Sequence, residues 1–254
     1  KEGLDQNTIV IFIGDNGRCN VRGKGYLFEP GINIPLLIYN PFNEGNKIVN
    51  DLVTVTDLTA TILDYAGIDK PKYMTGNSFL KDDFNRKYVY AARDQWDEIM
   101  DKSRAIVTKK WKYIRNYKPE IPYDAGQAYL EFYRPAVHIM RTAKSKNLLT
   151  NAQLHFFKES KDLEELYDLE NDPHEINNLA LDPSFQNVMN KFRIDMEKYN
   201  KRYRPMSDEY EPIIAESVVI LEWVKKNRPE EYKRMLDGYE IGFSKSKDEY
   251  YKNN

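Results

Sequence analysis

The stretch TIVIFIGDNGRCNVRGKGYLFEPG, residues 8–31, decides how the rest of this 254-residue chain is read. From Thr8 to Ile13 the run is β-branched and apolar on both alternate sets of positions. That is the pattern of a central strand in a covered, largely parallel sheet, not of a half-exposed surface strand. The run breaks at Gly14-Asp15-Asn16-Gly17, and two readings of the break stand. Asp-Gly and Asn-Gly pairs are what tight turns favour. Alternatively, the carboxyl ends of parallel strands are where ligand-binding loops gather. A carboxylate beside an amide oxygen is a hard donor pair suited to Ca²⁺ or Mg²⁺, although Ca²⁺ takes roughly six to eight oxygens and two residues supply only part of the set. Arg22-Gly23-Lys24-Gly25 is open in the same way. It is either a solvated surface loop or an oxyanion-binding loop, in which glycines let the backbone approach a ligand and lysine presents a point charge.

Working outward, Pro35–Tyr39 repeats the apolar strand character. Asp57–Ala66 predicts a helix, with Asp57 as N-cap, Leu58, Ile62 and Ala66 on one face, and Gly67 as the stop. These pieces make an α/β layer of roughly the first 90 residues. The texture then changes. Arg104–Tyr117 predicts two short strands around Lys109-Lys110, with Trp111, Tyr113 and Arg115 on one side of the second. Glu164–Leu169 is another strand, and Asn171-Asp-Pro-His turns the chain. Residues 119–163 read as weakly helical and connecting. Asp182 and Pro183 open a helix whose stripe of Phe185, Val188, Met189, Phe192, Met196 and Tyr199 reads as core. Ile214, Val218, Leu221 and Val224 share a face of a second helix, and Pro229 restarts a third. The expected division is 1–100 for the α/β part and 101–254 for a subdomain of small antiparallel sheet and packing helices.

The balance of 38 basic against 40 acidic side chains gives no bulk charge that would point to nucleic acid. One cysteine excludes an internal disulfide framework and a Cys-based zinc site. No apolar run reaches membrane-spanning length. The 19 tyrosines bring apolar area with a polar tip, which suits both half-buried packing and sugar-binding surfaces. His138, His155 and His174 show no metal-ligand spacing, and no Gly-x-Ser-x-Gly elbow supports serine catalysis.

Taken together, Thr8–Gly17, Arg22–Ile38, Thr54–Ile68 and Glu165–Ala180 resemble, in order, the C-terminal half of the formylglycine-dependent sulfatases of the alkaline-phosphatase-like superfamily. The resemblance runs from about residue 1 to about residue 203. Ala91-Ala-Arg-Asp and Trp111-Lys-Tyr-Ile-Arg-Asn-Tyr117 look closest to bacterial members of the heparan N-sulfatase, or N-sulfoglucosamine sulfohydrolase, kind. The implied fold class is α/β: the C-terminal part of an alkaline-phosphatase-like parallel sheet sandwiched by helices, then a smaller antiparallel-sheet subdomain with C-terminal helices. By the same resemblance Asp15 and Asn16 match the second pair of Ca²⁺ ligands, and Lys24 matches the lysine that contacts the substrate sulfate. Arg22, Arg93 and Asp94 become substrate-side candidates.

The family nucleophile is a formylglycine made from Cys or Ser in a Cys/Ser-x-Pro-x-Arg motif of the N-terminal half, where the remaining Ca²⁺ ligands also lie. Cys19 has Val21 where that motif has proline and follows the metal loop, so it is set aside as nucleophile. The expectation is therefore a C-terminal portion, inactive alone, of a periplasmic or secreted enzyme. Its partners would be a sulfated, glycosaminoglycan-type oligosaccharide and the N-terminal portion of the same protein, with no nucleic acid and no membrane span. Two other readings are a phosphatase or phosphodiesterase of the same superfamily, usually with two zinc ions, and a non-catalytic carbohydrate-binding module.

Overall fold

The apolar runs form β1 (Val10–Ile13) and β2 (Leu36–Tyr39) in a computed structural model that describes residues 3–43, 45, 47–202 and 215–254. The two strands pair antiparallel, from Val10 opposite Tyr39 to Ile13 opposite Leu36. The apolar run predicts parallel neighbours and cover on both faces, and this pair has neither. The connection explains the direction. Parallel neighbours need a crossover, usually a helix, whereas residues 14–35 contain only the one-turn helix α1 (Glu29–Ile32). An antiparallel strand is compatible with an otherwise parallel sheet. On the open face Val10, Phe12, Leu37 and Tyr39 are each more than half exposed, while the alternate residues are half-buried.

Helix α2 (Val55–Tyr65) begins two residues before the predicted start. Thr54 is its N-cap. Asp57 sits at the third helical position and accepts from the Thr54 N–H at 2.9 Å. Asp57 is also the buried anchor of the helix, accepting the Asn77 N–H at 2.8 Å and pairing with the Arg86 guanidinium. Burial pushes its carboxyl up, but Arg86 and the two backbone donors outweigh that and hold it below the usual range. Ile62, expected inward, is exposed. The buried side of α2 carries Asp57, Leu58, Ala60 and Thr61, because Thr61 Oγ1 accepts from the Phe79 N–H at 3.1 Å.

The second sheet runs β3 (Val89–Trp96), β4 (Ile99–Val107), β5 (Trp111–Asn116), β6 (Glu164–Asp168), antiparallel throughout and in that order. The sequence reading missed β3. Its pairing with β4 ties residues 89–100 to this sheet. Alternating side chains serve two cores. On one face Ala105, Ile114 and Tyr167 meet Tyr26, Leu27 and Phe28 of the loop before α1, together with Tyr123, Leu130, Val137 and Phe156. The last four belong to the predicted connecting region, which contains α3 (Ala128–Tyr133), α4 (Ala136–Ser145) and α5 (Asn151–Leu154). On the other face Ile106, Tyr113 and Leu166 meet Met189, Phe192 and Met196 of α6 (Gln186–Arg202), the stripe read from the sequence. Each such aromatic or aliphatic burial contributes roughly 1.5–3 kcal/mol.

The remaining helices are α7 (Glu216–Asn227), α8 (Pro229–Leu236) and α9 (Phe243–Asn253). Ile220, Val224 and Met235 of these helices, with Ile241 of the segment between α8 and α9, pack around Phe132 of α3. Ile214, predicted on the α7 face, lies outside the described residues. No helix among the described residues is long and apolar enough to cross a membrane.

Candidate functional site

Asp15 and Asn16 leave β1 directly, at the mouth of a loop that the backbone folds tightly. Arg18 N–H donates to Pro30 O at 2.9 Å, and Lys24 N–H donates to Arg18 O at 2.8 Å, which closes residues 18–24 into a ring. A Cβ at Gly23 would lie 1.9 Å from Arg18 O, so only glycine permits that closure. Turn and ligand loop are thus not exclusive here, because the turn is what brings Asp15, Asn16 and Lys24 onto one short loop.

The donor atoms are free for a cation. Among the described residues the exposed Asp15 carboxylate makes no hydrogen bond or ion pair. Asn16 uses its Nδ2, donating to Gly17 O at 3.0 Å, and leaves Oδ1 without a partner. No group of three or more His, Cys, Asp or Glu among the described residues could hold a metal by itself. Two hard oxygens side by side therefore fit Ca²⁺ as part of a ligand set, not as the whole of one.

Lys24 is equally available. Its ammonium lies 4.7 Å from the ring centroid of Tyr129 on α3, and no hydrogen bond or carboxylate engages it among the described residues. Tyr129 also directs its hydroxyl at Cys19 Sγ, 3.6 Å away. Burial pushes the Cys19 thiol up, but hydrogen bonding from Tyr129 and Arg134 and the charges of Arg134 and Lys24 outweigh it, so the thiol is held below its usual range. Cys19 thus lies inside the site, against Asn16, although no nucleophile motif surrounds it.

The other three candidates are spent on the fold. Arg22 donates to the carbonyl oxygens of His174 at 3.2 Å and Glu175 at 2.7 Å, and stacks on Phe28 at 4.0 Å. Arg93 is almost wholly buried, donating to Gly25 O at 3.0 Å, facing Asp101 at 3.5 Å and lying over the Tyr26 ring. Asp94 accepts from Arg104 at 2.6 Å. The Asp94 pair ties β3 to β4, and the Arg22 and Arg93 contacts hold the loop in place.

A buried ion trio does the same from behind. Lys112 Nζ, with no exposed surface, lies 2.7 Å from both Glu29 Oε1 and Glu175 Oε1, and Glu29 N–H donates to Glu175 Oε2 at 2.6 Å. Glu175 belongs to the Asn-Asp-Pro-His-Glu turn after β6, so the loop carrying Lys24 is docked on the antiparallel sheet by charge as well as by apolar contact. The sequence reading did not find Tyr129 or this trio. Only β5 alternation, which turns Lys112 away from Trp111 and Tyr113, carried a hint of the latter.

The N-sulphoglucosamine sulphohydrolase C-terminal family matches residues 17–124 and 122–202, most of the chain and all of the second sheet with α6. The chain belongs to that family. Among curated relatives of this sulphohydrolase-family chain, an ulvan-active sulfatase of Formosa agariphila is 36% identical over 202 residues, covering 78% of the chain and 34% of the relative. The N-sulphoglucosamine sulphohydrolase of Homo sapiens is 28% identical over 216 residues, covering 78% and 42%. The chain therefore spans between a third and a half of these relatives' lengths. A solved putative sulfatase of Bacteroides thetaiotaomicron superposes with a TM-score of 0.56 at 21% identity, over 82% of this chain and 40% of that one. That likeness establishes the fold, α/β of the alkaline-phosphatase-like kind with its antiparallel subdomain.

Proposed function

We propose that this chain is the C-terminal portion of a sulfatase that removes sulfate from a sulfated, glycosaminoglycan-type carbohydrate, with Lys24 as its sulfate contact. Family membership and the names of the relatives support the reaction class. The observation that carries the residue assignment is the Lys24 ammonium, unpaired among the described residues, at the end of the closed loop that follows the free oxygens of Asp15 and Asn16. Lys24 neutralises negative charge on the sulfate or on the departing atom. At about 4 Å and an effective dielectric near 20 such a contact is worth about 4 kcal/mol, part of it already felt by bound substrate. Asp15 and Asn16 supply half of a Ca²⁺ site, the other ligands coming from the rest of the parent protein. When bound, the ion polarises a sulfate oxygen and orients the nucleophile. The nucleophile in this reading is a formylglycine from that other portion, and the chain alone is inactive. Both a sugar O-sulfate and the N-sulfate of glucosamine fall within this reading, and a periplasmic or secreted location belongs to it as well.

In the full-length protein, Lys24→Ala lowers kcat/KM for a sulfate ester by roughly two to three orders of magnitude, as loss of an oxyanion donor does. An unchanged kcat/KM removes Lys24 from the reaction. Metal analysis of the same protein gives one Ca²⁺, whereas two zinc ions would move it to the phosphatase and phosphodiesterase branch, and no metal to a binding module.

A further inference from the structure

We infer that the tip of the β3–β4 hairpin, Trp96-Asp97-Glu98, and Tyr129 of α3 form a saccharide-recognition wall beside Lys24, with the Asp97 carboxylate accepting a hydroxyl of the sugar that carries the sulfate. The inference rests on the sulfatase reading above and extends it to what the enzyme recognises besides sulfate.

Four observations converge on this tip. The β3–β4 register shifts between Arg93 and Gln95, a bulge, and bulges re-aim side chains near binding sites. Asp97 then adopts a left-handed backbone with φ 48°, which aspartate tolerates in the two-residue turn between Trp96 and Ile99. Gln95 Nε2 donates to Asp97 O, and Gln127 Nε2 donates to Asp97 Oδ2, which fixes the carboxylate while Oδ1 stays without a partner among the described residues.

Trp96 is locked against the Lys24 loop. A Cβ at Gly25, whose φ is +87°, would lie 2.0 Å from the indole ring, so the loop lies flat on it. Tyr129 completes the wall, its ring centroid 5.9 Å from that of Trp96 and 4.7 Å from the Lys24 ammonium. Asp97 is near enough for its charge to add to the upward push that burial and Cys19 give the Tyr129 hydroxyl. Glu98 anchors the tip, its Oε1 accepting the Ala128 N–H at 2.6 Å at the start of α3.

The chemistry is that of a sugar bearing an anion. A cation faces the sulfate, aromatic area faces C–H groups, and a fixed carboxylate oxygen accepts a hydroxyl. A simple aryl sulfate offers the first feature and lacks the last.

The test compares the full-length protein acting on a sulfated glucosamine-containing disaccharide and on 4-nitrophenyl sulfate. Asn tolerates left-handed backbone, so Asp97→Asn keeps the tip's shape while removing its charge. It is expected to lower the ratio of the two kcat/KM values by about tenfold or more, mostly through KM for the disaccharide, the size of effect that losing a hydrogen bond to a charged group produces. Tyr129→Leu lowers the same ratio, and Tyr129→Phe, which keeps the ring, restores it. A ratio that stays within about twofold in both Asp97→Asn and Tyr129→Leu overturns the wall and leaves Lys24 untouched. A wild-type protein that hydrolyses neither compound overturns the sulfatase reading and the wall with it.

Discussion

The β1–β2 ladder is apolar at every position and the four-stranded sheet carries charged residues on each strand, yet the sheet is the better covered of the two. In the sheet Ala105, Ile106, Leu166 and Tyr167 have no exposed surface, because a loop and α3–α5 cover one face and α6 the other. In the ladder the described residues cover one face, and Phe12 and Leu37 stand open on the other. An apolar run reports that a strand wants cover, and says nothing about where in the protein the cover comes from. The candidate chemistry sits at the end of the less covered strand, and the anchors that aim it come from the better covered sheet.

The largest test of that division is Lys112→Ala. It leaves Glu29 and Glu175 facing each other without their shared cation, and breaking a buried ion pair in this way costs about 3–5 kcal/mol. Urea denaturation of the full-length protein should show the loss. A loss below about 1 kcal/mol would mean that the apolar contacts of Tyr26, Leu27 and Phe28 dock the loop without help.

A pH series sharpens the contrast at smaller scale. His155 lies between the rings of Phe28 and Tyr123, and its pKa is pushed down to about 4, first by burial and then by the charges of Arg22 and Lys158. Above the ordinary value of about 6.5 the ring is neutral in folded and unfolded chains alike, and nothing is lost. Between about 6.5 and 4 only the unfolded chain takes the proton, so stability falls with falling pH, by about 3 kcal/mol in all. His155→Phe should flatten the denaturation midpoint between pH 7 and pH 5. An unaltered slope would assign the pH dependence to other groups.

The smallest effect belongs to the part of the molecule held by local contacts. Thr54→Ala removes the N-cap hydroxyl of α2 and should cost about 1 kcal/mol in the same denaturation assay. A cost several times larger would show that α2 supports the ladder more than its own cap implies.

How much of this was legible in the sequence varies with the range of the interaction. Strands around Lys109-Lys110, the Asp182-Pro183 helix start and the α6 stripe depend on neighbours within a turn or two, and each appears where periodicity places it. The direction of β2 relative to β1 was not read from the sequence, because an apolar run speaks of burial, while direction is set by the connection, here one without a crossover helix. The strand β3 was missed because Ala91-Ala-Arg-Asp-Gln has neither a continuous apolar run nor clean alternation. Charged residues interrupt its pattern at Arg93 and Asp94, which pair with Asp101 and Arg104 across the sheet. The loop residues Asp15, Asn16 and Lys24 could be singled out from the sequence because they follow the apolar strand run. That Arg22 and Arg93 are clamps could not be read there, since their partners lie 153 and 68 residues away.

The Glu29–Lys112–Glu175 trio also limits how chains of this kind can be recombined. Its members come from three separated segments: the first position of α1, the start of β5 and the turn after β6. A hybrid that joined residues before 89 from one relative to later residues from another would inherit Glu29 from one parent and both Lys112 and Glu175 from the other. If either parent places its charges differently, the hybrid buries an unmatched ion beneath the loop that carries Lys24. Glu29, Lys112 and Glu175 should therefore travel as a set, and a crossover that respects them is the first rule for grafting this antiparallel subdomain onto another protein of the fold.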